Sequence, residues 1–136
     1  MSTAATTAPF RHRLRVYWED TDAGGVVFYA NYLKFFERAR TEWLRSLGVG
    51  QQALREATGA IFIVTETRVH YRAPARLDDR LDVTVALRER GRASMLIAQQ
   101  AWRGDALLAE GEIRIGCVDH GTFKPRRIPT EITSRL

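Results

Sequence analysis

One segment of this chain has the pattern of a long amphipathic helix, and almost everything after it has the pattern of β-strands. From Ala30 to Gly48, apolar side chains recur every three or four residues, which predicts a helix of about four to five turns. Its apolar stripe consists of Tyr32, Phe35, Phe36, Ala39, Trp43, Leu44 and Leu47. A shorter helix is predicted over residues 51–57, before Gly59.

The β-patterned segments make up most of the remaining chain. Residues 13–18 alternate between apolar and polar side chains, with Leu14, Val16 and Trp18 on one face, as a half-buried strand does. Further strands are predicted over residues 61–72, 81–87, 93–103 and 106–118, with a Gly104-Asp105 turn before the last. One helix cannot cover both faces of such a sheet. We therefore predict an α+β domain, an antiparallel β-sheet wrapped around one long central α-helix, whose open face or edge a second subunit covers.

Length and composition indicate one soluble globular domain. Of the 136 residues, 45% are hydrophobic and 27% are charged. Residues 1–10 are predicted to be a disordered tail, which leaves residues 11–136 as the single domain. The chain shows no signal-peptide pattern and no apolar run near the ~20 residues of a membrane span, and its one cysteine cannot form an internal disulfide. A cytoplasmic location without stable membrane insertion is therefore expected.

Two acidic residues, Asp20 and Asp22, precede a Gly24-Gly25 pair at the predicted start of the long helix. Free N–H groups and the helix dipole make such a start electropositive. A substrate carbonyl could be polarised there while a carboxylate attacks it or activates water. Simple solvation of a turn by the two acids is the alternative. Calcium binding is disfavoured, because Gly24 replaces a third acidic ligand and Asn31 stands where a glutamate is needed.

Other catalytic groups find no support in the sequence. The chain has no G-x-S-x-G motif and no glycine-rich phosphate loop, and its histidines lack the spacing of metal ligands. Cys117 lies on the apolar face of a predicted strand, which favours a buried structural thiol. No metal site is predicted, and a carboxylate is the remaining candidate for catalysis.

The net charge of +5 indicates an anionic partner, since 21 basic residues face 16 acidic ones. Basic residues cluster at residues 11–15, 88–92 and 124–127, although each cluster also fits ordinary solvated surface charge. Nucleic-acid binding is disfavoured, because the chain has neither a recognition motif nor a strand that interleaves aromatic and basic residues.

Residues 16–32, VYWEDTDAGGVVFYANY, and residues 36–44, FERARTEWL, resemble the signature of hotdog-fold acyl-CoA thioesterases. They are most similar to the bacterial Tol–Pal-associated branch, which is related to 4-hydroxybenzoyl-CoA thioesterase. The likeness continues through residues 71–79, 117–119, 124–126 and 128–129. It implies a hotdog fold, hydrolysis of acyl-CoA to a free acid and coenzyme A, and a homodimer or homotetramer with active sites at subunit interfaces. It implies no cofactor, because coenzyme A is part of the substrate.

The same resemblance implies roles for particular residues. The second acid of D-x-D, Asp22, is the expected catalytic carboxylate, acting as nucleophile or general base, and Asp20 is expected to shape the loop. The backbone N–H of Tyr29 is the expected oxyanion donor. Relatives in the Tol–Pal branch commonly carry His at this position and Tyr at the position of Trp18, so no histidine role transfers to this chain. Tyr29 itself is similar to the hydroxybenzoyl branch, and the acyl preference is left open.

The substrate is expected to contact both the acidic loop and two of the basic clusters. Coenzyme A carries several phosphates, which accounts for a cationic rim. The expected substrate-binding residues are Trp18, Gly25, Val26, Phe28, Arg90, Arg92, Ser94, Lys124, Arg126 and Arg127. Tyr32 fits the helix core better than the acyl pocket.

The alternative function is an interaction protein that binds acyl carrier protein or envelope machinery and retains weak thioesterase activity.

Overall fold

The computed structural model describes residues 9–136 and contains one antiparallel sheet of five strands in the order β1-β3-β4-β5-β2. The strands are β1 (Phe10–Arg15), β2 (Ala60–Tyr71), β3 (Arg80–Arg90), β4 (Ser94–Arg103) and β5 (Ala106–Asp119). The helices are α1 (Asn31–Ser46), α2 (Gln51–Thr58) and the short α3 (Thr130–Thr133). In the described part of the chain, none of the helices has both the length and the apolar character that a bilayer crossing requires.

Helix α1 lies along the inner face of the sheet and forms the centre of the core. Phe35, Phe36 and Ala39 are fully buried on its apolar stripe. The facing strands contribute Leu81, Val83, Val85, Met95, Ile97, Ala101, Ile113, Ile115 and Cys117. Gly48 and Gly59 follow the two longer helices with positive φ angles of 83° and 77°, the backbone that stops a helix. This arrangement confirms the predicted hotdog fold, a sheet wrapped around one central helix.

A buried amide fixes α1 against the sheet. Gln99 on β4 is completely buried, and its Nε2 donates to the carbonyl oxygens of Phe36 at 3.0 Å and Thr84 at 3.3 Å. Its Oε1 accepts a 2.8 Å hydrogen bond from the Arg40 guanidinium. Burial lowers the pKa of Arg40, and the nearby Glu37 charge opposes that shift. Because a buried amide demands partners, this cluster sets the position of α1 on the sheet.

The first strand corrects the sequence prediction of residues 13–18. β1 starts at Phe10, which pairs with Val85, so residue 10 belongs to the sheet and not to a tail. Residues 1–8 of the predicted tail lie outside the described residues. The chain leaves the sheet after Arg15, and Trp18, in a 3₁₀ turn, is 79% exposed instead of sharing a buried face with Val16. The carboxylate of Asp20 bends this turn by accepting the N–H of Tyr17.

Strand β2 is an edge strand that pairs only with β5 among the described residues. Its apolar side chains Ile63 and Val64 are partly exposed. Near its end it approaches β5 closely, because Gly111 faces Val69 and any Cβ there would clash with the carbonyl oxygen of Arg68. Gly111 thus permits the tight pairing that carries the end of β2 towards the start of α1.

Candidate active site

The loop that carries both acidic residues is closed mainly by backbone hydrogen bonds. The N–H of Asp22 donates to the Val26 carbonyl at 2.8 Å, and the N–H of Phe28 donates to the Asp20 carbonyl at 3.0 Å. Gly25, at φ 80°, makes the turn at the tip. The N–H of Val27 donates to Ala75 at 2.8 Å, which ties the loop to the segment before β3.

The two acids occupy different environments. Asp20 is 6% exposed, and its carboxylate accepts the N–H of Tyr17 at 2.8 Å. Its carbonyl also accepts the side-chain amide of Asn31 at 2.9 Å. Asp22 is exposed, and one of its oxygens accepts the N–H of Gly24 at 2.8 Å. Asp20 therefore shapes the loop, while the second carboxylate oxygen of Asp22 accepts no hydrogen bond from the residues that the structure describes.

The start of α1 offers uncommitted N–H donors beside this loop. The N–H of Asn31 donates to Phe28 at 2.8 Å, and that of Tyr32 reaches Tyr29 at 3.4 Å. Within residues 9–136, the N–H groups of Tyr29 and Ala30 donate no hydrogen bond, and no side chain caps the helix. Free N–H groups at the positive end of a helix stabilise a developing negative charge.

Three tyrosines surround a shallow cavity at the helix start. The cavity has a volume of about 270 Å³, and its lining residues are Val27, Tyr29, Tyr32, Tyr71, Arg72, Ala73 and Pro74. The rings of Tyr29 and Tyr32 contact that of Tyr71 edge to face, with centroids 6.1 and 5.4 Å away. The cavity is mostly apolar, which suits an acyl group beside a reacting carbonyl.

Tyr32 confirms its predicted place in the core, since it is only 3% exposed. Its hydroxyl accepts the N–H of Ala75 at 3.1 Å, and burial is the main cause that raises its pKa. Sequence reasoning did not identify Tyr71 as a site residue. A tyrosine at the end of a predicted strand, just before Pro74, was the available signal, but only the fold shows that this strand ends beside α1.

The other substrate-binding residues predicted near the acidic loop lie outside the tyrosine cavity. Trp18 is in the exposed turn, and the Phe28 ring packs against that of Tyr29 at a tilt of 53°, with centroids 4.9 Å apart. Gly25 is at the loop tip, while Val26 pairs with Arg76. None of these four predicted residues lines the tyrosine cavity within this protomer.

A basic groove lies between the β3–β4 turn and the C-terminal segment. It has a volume of about 560 Å³, and its lining residues are Arg90, Gly91, Arg92, Arg127, Ile128, Thr130 and Thr133. The Arg90 guanidinium donates to the Thr133 carbonyl at 3.0 Å, which holds one wall in place. No acidic side chain lines the groove among the residues that the structure describes. Its charge therefore suits phosphate groups.

The structure brings only part of the predicted basic set into this groove. Ser94 accepts the N–H of Gly91 with its backbone carbonyl at 2.8 Å, so it supports the turn without lining the groove. The Arg126 guanidinium instead donates to the Thr58 carbonyl at the end of α2. Lys124 is exposed next to the Asp119 turn. Arg90, Arg92 and Arg127 are the predicted basic residues that share one site.

Cys117 is a buried thiol, 1% exposed, as the sequence predicted. Burial raises the pKa of this thiol, and the Arg126 charge opposes the shift. A neutral, buried thiol is a poor nucleophile, so Cys117 is not a candidate for the catalytic nucleophile. The described residues also contain no cluster of three His, Cys, Asp or Glu side chains arranged to hold a metal ion.

The sheet order and the wrapped central helix define a hotdog fold. The chain belongs to the thioesterase-like superfamily, whose family model matches residues 16–136. It is 44% identical over 123 residues to the acyl-CoA thioesterase YbgC of Haemophilus influenzae, covering 90% of each chain. It is also 44% identical over 131 residues to the acyl-CoA thioester hydrolase YbgC of Escherichia coli, covering 96% of this chain and 97% of that one. A probable thioesterase from Bartonella henselae superposes with a TM-score of 0.85 at 31% identity, over 90% of this chain and 100% of that one. The family resemblance seen in the sequence is thereby confirmed.

Proposed function

We propose that this protein is an acyl-CoA thioesterase, which hydrolyses the thioester bond of acyl-CoA to a free acid and coenzyme A. The observation that carries the proposal is the exposed carboxylate of Asp22 on a loop that leads into the free N–H groups at the start of α1. The bridge between Thr21 and Val27 brings the two limbs of this loop together. The relatives named above as thioesterases support the same chemistry.

Asp22 supplies the attack on the thioester carbonyl by one of two routes. As a nucleophile, its carboxylate adds to the carbonyl carbon, and the C–S bond breaks to release the coenzyme A thiolate. Water then hydrolyses the resulting anhydride to the free acid and restores Asp22, and the thiolate takes up a proton that this hydrolysis releases. As a general base, it takes a proton from water while the hydroxide adds to the carbonyl, and the leaving thiolate receives that proton. In both routes the carbonyl oxygen becomes an oxyanion, which the N–H of Tyr29 stabilises.

The basic groove binds the nucleotide phosphates of coenzyme A. We expect Arg127→Ala to raise KM for acyl-CoA by about tenfold with little change in kcat, because one charge-assisted contact is lost. KM for the matching acyl-pantetheine, which lacks the nucleotide, should stay at the wild-type value. Arg55→Ala on α2 is the matched control, since it removes an exposed arginine that does not line the groove. Equal KM changes for both substrates would place Arg127 outside the phosphate site.

The catalytic loop and the basic groove lie at opposite ends of the sheet. The loop joins the start of β3 through the hydrogen bond from Val16 to Asp79, whereas Arg90 is the last residue of β3. The 11 residues of β3 span about 33 Å. One active site is therefore best completed by two protomers that pair through their β2 edges about a two-fold axis. Such pairing places the groove of one protomer beside the catalytic loop of its partner.

Co-expression of two variants, one defective in catalysis and one in substrate binding, tests this shared site. A heterodimer of Asp22→Asn and Arg127→Ala protomers contains one site in which both residues are intact. Random pairing of equal amounts should restore about a quarter of wild-type activity at subsaturating substrate. Each variant expressed alone is the control. Activity equal to the mean of the two homodimers would show that each site is contained within one protomer.

A thiol-release assay with short, long and aromatic acyl-CoAs tests the activity itself. We expect turnover with at least one class and no requirement for an added cofactor, since coenzyme A enters with the substrate. The proposed location is the cytoplasm, where acyl-CoA is made. Negligible rates throughout, together with tight binding of acyl carrier protein to the basic groove, would instead favour the interaction protein.

A further inference from the structure

The last residue of β2, Tyr71, makes a hydrogen bond that the proposed reaction leaves unused. Its hydroxyl donates to the carbonyl oxygen of Tyr29 at 3.0 Å. This carbonyl belongs to the peptide that follows Tyr29, directly next to the peptide that carries the Tyr29 N–H. The helix itself holds this carbonyl weakly, because the Tyr32 N–H lies 3.4 Å from it.

The hydroxyl of Tyr71 is fixed by the sheet and by its neighbouring rings. Tyr71 pairs with Ala109 on β5, so a strand and not a loop sets its backbone position. Its ring packs edge to face against Tyr29 and Tyr32, and Tyr32 is itself anchored to Ala75. Burial is the main cause that raises the pKa of Tyr71, so the hydroxyl keeps its proton at neutral pH and remains a donor.

We propose that Tyr71 is a positioning residue, whose hydroxyl holds the peptide after Tyr29 so that the Tyr29 N–H points at the thioester oxyanion. The inference rests on the proposed function, since the oxyanion is the group that this N–H would meet. Hydrogen-bond strength falls steeply with misalignment, and a donor stabilises a transition state best when it is already aimed. No side chain caps α1 among the described residues, so Tyr71 supplies an orienting contact that the helix lacks.

Tyr71→Phe tests the hydroxyl alone, because phenylalanine keeps both ring contacts. We expect kcat to fall by about three- to tenfold and KM to stay within about twofold of wild type. The loss in kcat should be the same for acetyl-, hexanoyl- and benzoyl-CoA, since the Tyr29 N–H binds the thioester carbonyl oxygen that all three substrates share. Tyr71→Leu, which also removes the ring, should add a rise in KM that depends on the acyl group.

Thr65→Val is the matched control on the same strand. The Thr65 hydroxyl also donates to a backbone carbonyl, that of Arg114 at 3.3 Å, but lies away from Tyr29. This variant should keep the wild-type kcat. A wild-type kcat in Tyr71→Phe would overturn the proposal, and so would a loss confined to one acyl group, which would indicate direct contact with substrate. Failure of the wild-type enzyme on every thioester would instead overturn the proposed function.

Discussion

Asp22→Asn is expected to lower kcat by about 10²–10⁴-fold while the fold remains intact. An amide neither attacks the thioester carbonyl nor takes a proton from water, so both proposed routes are lost. The loop should survive the change, because the Asn side-chain oxygen can still accept the N–H of Gly24. Single-turnover thiol release, with circular dichroism to follow the fold, measures the two effects separately.

Two other variants show whether that loss belongs to Asp22. Asp105→Asn changes an exposed carboxylate in the β4–β5 turn and should leave kcat unchanged. Asp20→Asn should lower the free energy of unfolding and reduce kcat less, because an amide oxygen accepts the Tyr17 N–H more weakly than the buried carboxylate does. Equal loss of kcat in the Asp20 and Asp22 variants would contradict the assignment, as would a near wild-type rate in Asp22→Asn on its best substrate.

Gly111→Ala is expected to lower the free energy of unfolding by about 1–3 kcal/mol. The new methyl group would meet the backbone carbonyl of Arg68, which cannot move without breaking the pairing of β2 with β5. Because Tyr71 lies two residues beyond Val69, the partner of Gly111, the shift should also reach the start of α1. Urea denaturation, compared with wild type at equal m-value, measures the change in stability.

Gly116→Ala is the matched control, since Gly116 lies on the same strand. A Cβ there would be 3.5 Å from the Thr65 methyl group, an ordinary contact. We expect its free energy of unfolding to stay close to the wild-type value. If both variants were equally destabilised, general intolerance of side chains on β5 would explain the effect, and the clash with Arg68 would not.

The sequence predicted the central helix well because its signal is local. The apolar period from Ala30 to Gly48 reports one buried face, and α1 spans Asn31–Ser46. The first strand was misplaced because alternation continued through Trp18, while the actual departure from the sheet depends on a hydrogen bond between Val16 and Asp79. A local sequence pattern cannot predict a contact between residues so far apart in the chain.

The candidate site was likewise predictable only where its signal is local. The acidic loop was identified as a candidate because a carboxylate before a helix start is itself a local arrangement. The different positions of the Arg126 and Arg127 side chains could not be predicted in this way. Both residues lie outside helices and strands, where neighbouring side chains follow no fixed period. Tyr71 was missed for a different reason, since its partner Tyr29 is 42 residues away in the chain.

The hydrogen bonds that close the acidic loop bear on how the proposed enzyme can diverge. The bonds that close it join main-chain atoms, at Asp22 and Val26 and at Val27 and Ala75, so they tolerate changes in most of the side chains around them. The cavity wall, by contrast, is made of residues from the loop, α1, β2 and the segment that follows β2. Changes at wall residues other than Tyr71 can therefore reshape the proposed acyl pocket while the proposed reacting groups stay in place. A laboratory search for new acyl specificities has the same freedom.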